Sequence, residues 1–252
     1  MGLVDPIGTT TALATTGASL YASATVTAAA VSNTLSAVDF SVAYFGTMIK
    51  HDPNWGAKRM ENWAKLEFQH INSLTGIFRF DKSANGFEWG MQVLNNFGGG
   101  EILQDFAGNA LGHQQNMAGN IDAMGYYKGR LVIRLNDNSI PGRAISLGHY
   151  VIGEKIALNP NDNSQGPDGL DLFAHEFGHT YQSRIMGPTY LFRIGIASVY
   201  DNDGLTEQDA NWRSSQNNLP IYDWRPKTKS RYKSYEFGFA PVLWPFMWSW
   251  NF

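Results

Sequence analysis

The chain has 252 residues, 43% of them hydrophobic and 16% charged, with a net charge of −3. That is enough apolar residue for one good core, or for one domain with an appendage, and the acidic balance argues against wholesale nucleic-acid binding. There is no cysteine, so disulfides and thiolate metal ligands are excluded and any zinc must be held by histidine and carboxylate.

At the start, a basic segment is missing and Asp5-Pro6 stands where one would lie, so no signal peptide is expected. From Pro6 to Val38 no residue is charged, and Ala, Thr and Ser dominate. This predicts a tightly packed small-residue helix, or a linker, over residues 1–45. Membrane contact through 6–38 is the alternative. Aromatic and charged residues then appear together, and 46–252 reads as the main domain, with an aromatic tail at 220–252. Residues 55–73 read as a helix carrying Trp55, Met60, Trp63, Leu66 and Ile71, with His70 structural or exposed. Phe87 to Asn116 is helical in pattern, interrupted at Gly98-Gly99-Gly100, and bears Glu101, Asp105 and His113; the last has no partner at ligand spacing. Strands are expected at 131–135, across 144–153 and at 155–158. His149 falls on an apolar parity of the second, which favours a core histidine over a substrate or transition-state role. Asn159 to Gly169 is a polar loop. Arg225, Lys227, Lys229, Arg231 and Lys233 alternate as on a lysine-protected edge strand. Trp244, Phe246, Trp248, Trp250 and Phe252 call for docking onto a core or a partner.

One short run carries chemistry: His175-Glu176-Phe177-Gly178-His179. Histidines at i and i+4 share a helix face, so both rings reach one metal ion, with Glu176 beside them as a general base. Gly166-Pro167-Asp168-Gly169 before the run, with Asp168 or Asp171 as cap, and Gly187-Pro188 after it predict a bounded helix over 169–186. Gly178 lowers helix propensity by roughly 1 kcal/mol relative to alanine, which suggests that a neighbouring element passes close there. A hydrolytic zinc site needs a third protein ligand. The metzincin continuation would need Gly at 182 and His or Asp at 185; Gln182 and Ile185 exclude it.

Thr206-Glu207-Gln208-Asp209-Ala210-Asn211 resembles the E-x-x-A-[D/N] element of small gluzincins. That resemblance implies Glu207 as the third metal ligand and Asn211 as the group that orients a motif histidine; Asp209, Asp201 and Asp203 compete with Glu207. More widely, about Ile102 to Asn211 resembles bacterial domains found at the C-terminal ends of rearrangement-hotspot (Rhs-type) repeat proteins and related polymorphic toxins. The matching pieces are Leu111-Gly112-His113, Gly125-Tyr126-Tyr127-Lys128-Gly129, Ala144-Ile145-Ser146-Leu147-Gly148, the histidine run with Tyr181-Gln182-Ser183, Gly187-Pro188-Thr189-Tyr190-Leu191 and Thr206-Glu207 with Ala210-Asn211. Val4-Asp5-Pro6-Ile7-Gly8 is similar to the D-P-x-G element closing Rhs cores.

The expectation is therefore an α+β, zincin-like metallopeptidase domain. It would hold a short, mostly antiparallel sheet, an active-site helix and a following ligand helix. His175, His179 and Glu207 would bind Zn²⁺, with Glu176 as base and Tyr181, His149 or Arg184 as transition-state stabiliser. An edge strand within 144–158 would receive a protein or peptide substrate. The resemblance implies a secreted or delivered effector, with a parent Rhs-type shell and a cognate immunity protein as partners. The rival reading is a non-enzymatic zinc-binding or membrane- or partner-interaction module.

Overall fold

The computed structural model describes residues 6–74, 81–98, 101–136, 139, 144–191, 194 and 205–219. The expected basic strand at 225–233, the aromatic tail at 220–252, Asp201 and Asp203 lie outside the described residues. Among the described residues the architecture is α+β, with six α-helices and a four-stranded mixed sheet. The helices are α1 (Pro6–Lys50), α2 (Pro53–Leu74), α3 (Gly86–Gly98), α4 (Ile102–Ala118), α5 (Gly166–Met186) and α6 (Leu205–Gln216). The strands are β1 (Ile121–Tyr127), β2 (Arg130–Leu135), β3 (Ala144–Leu147) and β4 (Tyr150–Glu154).

The sheet order is β1-β2-β4-β3. The β1–β2 and β3–β4 pairings are antiparallel, while β2 and β4 run parallel, Leu131 opposite Tyr150 through Leu135 opposite Glu154. β2 and β4 are covered on both faces, which explains the continuous apolar runs Leu131-Val132-Ile133 and Tyr150-Val151-Ile152 at their centres. One parity, including Val132 and Val151, packs under Phe173, Phe177 and Tyr181 of α5. The other, including Leu131, Ile133, Tyr150 and Ile152, packs on Leu66 of α2, with Leu111 of α4 beside it.

Three sequence expectations change here. The run 144–153 is a hairpin, folded at Gly148 with φ +56°, where a side chain would also collide with Asp105. Residues 155–158 form no strand: Lys155, at φ +49°, turns the chain, and Ile156 and Ala157 drop into the core. β1 was not expected. A register shift between Ile121 and Ala123 puts Ile121 and Met124, three apart, on the buried face, so the run lacks strict alternation.

α1 passes straight through the expected boundary at 45/46. It runs parallel to α4, through Ser32–Asn109 and Asp39–His113, and antiparallel to α2, through Ser36–Glu67. The seam between these helices is polar. His113 Nδ1 lies 2.8 Å from Asp39 Oδ2 and its Nε2 lies 2.9 Å from Glu67 Oε1. Asn116 Nδ2 donates to both Asp39 oxygens at 3.0 and 2.9 Å. Burial alone would discharge His113; the two carboxylates outweigh it and raise its pKa.

Candidate metal centre

α5 opens at Gly166, three residues earlier than expected, with Pro167 in the first turn where no amide proton is needed. Gln165 precedes it, so Asp168 is a first-turn carboxylate rather than the cap. The helix stops at Gly187, φ +51°, as its sequence implies. Across α5 lies α6, and Gly178 is the crossing point. A Cβ there would fall on the Ala210 carbonyl and close to the Ser214 hydroxyl, which itself hydrogen-bonds the Ala174 carbonyl. This contact lets the first turn of α6 carry Glu207 up to the histidines.

Glu207 Oε2 lies 2.9 Å from His175 Nε2 and 3.3 Å from His179 Nε2, and the two Nε2 atoms are 3.2 Å apart. Both Nδ1 atoms are turned away onto amide oxygens: His175 to Asn211 Oδ1 and His179 to Gln182 Oε1, each at 2.8 Å. Gln182 cannot reverse its amide cheaply, because its nitrogen donates to the Thr206 carbonyl at 2.8 Å and to Asp209 Oδ2 at 2.9 Å. Asp209 is in turn paired with Arg213 at 2.7 Å, and Arg213 with Glu88 of α3 at 2.8 Å. An Nδ1–H donated to an amide oxygen leaves the Nε2 lone pair free in a neutral ring. Two imidazole lone pairs and a carboxylate oxygen thus meet at one point.

The donor set fits zinc. Metal–ligand bonds of about 2.0–2.1 Å place tetrahedral ligand atoms roughly 3.3 Å apart, close to the separations found. Glu207 Oε1 is buried without a hydrogen-bond partner. Among the described residues this is the one group of three or more His, Asp or Glu able to hold a metal ion. Electrostatics point the same way. Burial would raise the Glu207 carboxyl, but the two imidazoles hold it well below the usual carboxylate range. Burial would likewise lower His179, but the hydrogen bond and charge of Glu207, then the charge of Glu176, push it up to about 9. The pocket attracts a cation, whether a proton or a metal ion.

Glu176 is 7% exposed. The Ser146 hydroxyl, on edge strand β3, lies 2.7 Å from Glu176 Oε2 and 2.6 Å from the Glu176 carbonyl oxygen. The general-base candidate is thereby tied to the strand at the sheet margin. His149 is buried in the hairpin turn, its Nδ1 2.9 Å from Asp105 Oδ1 and its Nε2 3.8 Å from Glu101 Oε2.

Tyr181 belongs elsewhere. It lies in the sheet-side core, with the Arg130 guanidinium 5.5 Å over its ring, about half a helix turn away from the histidine face. Arg184 is buried near Arg130 and Tyr181. Another tyrosine, Tyr190, just past α5, is buried against Met186 and Ile194, within electrostatic range of Glu176 and Glu207. Burial, then the charges of Glu176, Glu207 and Glu101, raise its pKa well above the ordinary value, so it stays a hydroxyl donor. Its position in Gly187-Pro188-Thr189-Tyr190-Leu191 was the one sequence signal for it; for Gln182 there was only its place one turn beyond His179. No protein-family model, characterised protein or solved structure matches this chain.

Proposed function

We propose that this chain is a zinc-dependent metallopeptidase. The observation that carries the reading is the convergence of His175 Nε2, His179 Nε2 and Glu207 Oε2, with both Nδ1 atoms committed to amide oxygens. A bound zinc ion would supply a Lewis acid for a carbonyl and a water reactive near neutral pH. His175, His179 and Glu207 would hold it. Glu176 takes the proton of the attacking water and delivers it to the leaving nitrogen. Tyr190, kept protonated and within electrostatic range of Glu176 and Glu207, is the candidate donor to the oxygen that gains charge. β3 is an edge strand whose Ser146 touches Glu176, so an extended peptide paired along its free edge would pass the base. The resemblance to Rhs-type C-terminal domains supports a delivered bacterial effector as its setting, with a parent shell and an immunity protein as partners.

The test is paired. Metal analysis of the purified chain should give one zinc per chain, removable by chelator. Glu176→Gln should keep that zinc while peptide hydrolysis falls by about 10²–10⁴-fold. A chain without zinc after purification and reloading would sink the reading. A Glu176→Gln variant with unchanged biological effect would favour the non-enzymatic binding module.

A further inference from the structure

α1 is built inside out. Ser32, Ser36 and Asp39 face α2 and α4 and are buried, whereas Val31, Val38, Phe45 and Ile49 are 48%, 46%, 54% and 77% exposed. A surface helix in water shows the reverse pattern, with its apolar stripe inward and charges outward. Here the inward positions 32, 36, 39 and 43 follow 4-3-4 spacing; Ser32 binds Asn109, Ser36 binds Glu67, Asp39 binds His113 and Asn116, and Ala43 packs without a polar partner. Asp39, the one charge in α1 before Lys50, is consumed in that seam. Val38, Val42, Phe45 and Ile49 line a shallow apolar groove along the outer face. Residues Ser19–Lys50 have the length and hydropathy of a membrane-crossing helix. At about 1.5 Å per residue, α1 is about 67 Å long, twice α2.

The end of this stripe changes character. Lys50 and Arg59 lie over the Trp55 ring at 4.7 and 4.2 Å, and Lys58 is exposed one turn away. The acid nearest in sequence, Asp52, accepts from the Asn54 and Trp55 amides at the head of α2. A polar seam, an apolar exterior and a rim of cations around tryptophan complement an anionic lipid surface: acyl chains against the stripe, phosphates against Lys50 and Lys58. We propose that α1 lays its outer face into the interfacial layer of an anionic membrane. Its ties to α4 make it lie along the surface with the domain attached rather than cross the bilayer. The inference stands apart from the peptidase reading.

The absence of cysteine allows a clean test on the full chain. Single cysteines at Val38, Ile49 and, as control, the exposed Glu61 of α2 are labelled with a polarity-sensitive fluorophore. Each is mixed with vesicles of phosphatidylglycerol and phosphatidylcholine, or of phosphatidylcholine alone. Expected are flotation with the anionic vesicles and a blue-shifted emission at 38 and 49, with no shift at 61. The double reversal Lys50→Glu/Lys58→Glu, which leaves the apolar stripe intact, should weaken binding by about tenfold or more. Failure to float, equal binding to both lipids, or labels at 38 and 49 that still sense water overturn the proposal. So does a blue shift that needs no lipid and follows dimer formation by light scattering, which would make the stripe a contact between copies of the chain.

Discussion

In the seam between α1, α2 and α4, each nitrogen of His113 meets its own carboxylate; in the pocket between α5 and α6, two rings turn one nitrogen each toward a single carboxylate oxygen. The residue types are the same and both sites are largely buried, with only His175 and Glu67 partly exposed. What differs is the partner of the other nitrogen. Asp39 and Glu67 occupy both sides of His113 and raise its pKa, so both ring nitrogens are committed and the site is closed. Asn211 and Gln182 occupy the Nδ1 side of His175 and His179 with neutral oxygens, which leaves lone pairs with nowhere to go but a cation. The first arrangement is an ion-paired strut between helices, and the second is a cradle.

Removing one member of each cluster should break them in different currencies. His179→Ala should release the zinc and cut hydrolysis by more than the roughly 10²–10⁴-fold that a general base alone supplies. His113→Leu should leave zinc stoichiometry intact while costing about 3–5 kcal/mol of stability, because it strands Asp39 among buried groups. Metal analysis and urea unfolding of both variants decide it. Loss of zinc from His113→Leu at temperatures where it remains folded would erase the distinction.

Gly178→Ala probes how the cradle is assembled rather than what it contains. An added methyl meets backbone of α6, which cannot rotate aside, so the helices must separate. About 1–3 kcal/mol of stability should be lost, and zinc affinity with it, since Glu207 rides on α6. Equal zinc affinity in a destabilised variant would show that Glu207 is placed by other contacts, such as the Arg213–Glu88 pair.

Smaller effects are expected at the amides. Gln182→Leu should weaken zinc binding by about 10–100-fold, as should Asn211→Leu, because each frees a ring to adopt the wrong tautomer. A conservative Gln182→Glu should retain more affinity than the leucine. If neither amide matters, the orientation of the rings is set by packing alone.

The cradle was far more legible in the sequence than the strut. His175, Glu176 and His179 announce themselves because helical periodicity fixes their geometry within one element. Glu207 and Asn211 came only through resemblance, since their approach depends on a helix crossing at Gly178. His113 looked partnerless because its carboxylates come from residues 39 and 67, on two other helices, and nothing local marks a long-range ion pair. Tyr181 is close to the motif in sequence, but the helix turns it toward the sheet; Tyr190 lies beyond the helix stop, where spacing rules no longer apply. The hairpin at Gly148 is hidden although Gly148-His149 has the Gly-first form of a two-residue hairpin turn, because one glycine inside an alternating run also fits an unbroken strand.

The last difference is one of sign with pH. His113 has a raised pKa in the fold, so its contribution is whole below about 6.5, the value of a free histidine, and fades as pH rises through the folded value. His179, held up to about 9 while no metal is bound, must lose its proton to bind zinc. Apparent zinc affinity should therefore rise about tenfold per pH unit up to that value, in the direction in which the seam weakens. Both arms can be read in separate backgrounds. Urea unfolding of His179→Ala, compared with the double variant His179→Ala/His113→Leu, isolates the seam, and competition titration of the unsubstituted chain isolates the pocket. A zinc affinity that stays flat between about pH 6 and 8 would mean that His179 carries no proton to displace, and that the Glu207 carboxylate meets a neutral ring before the metal arrives.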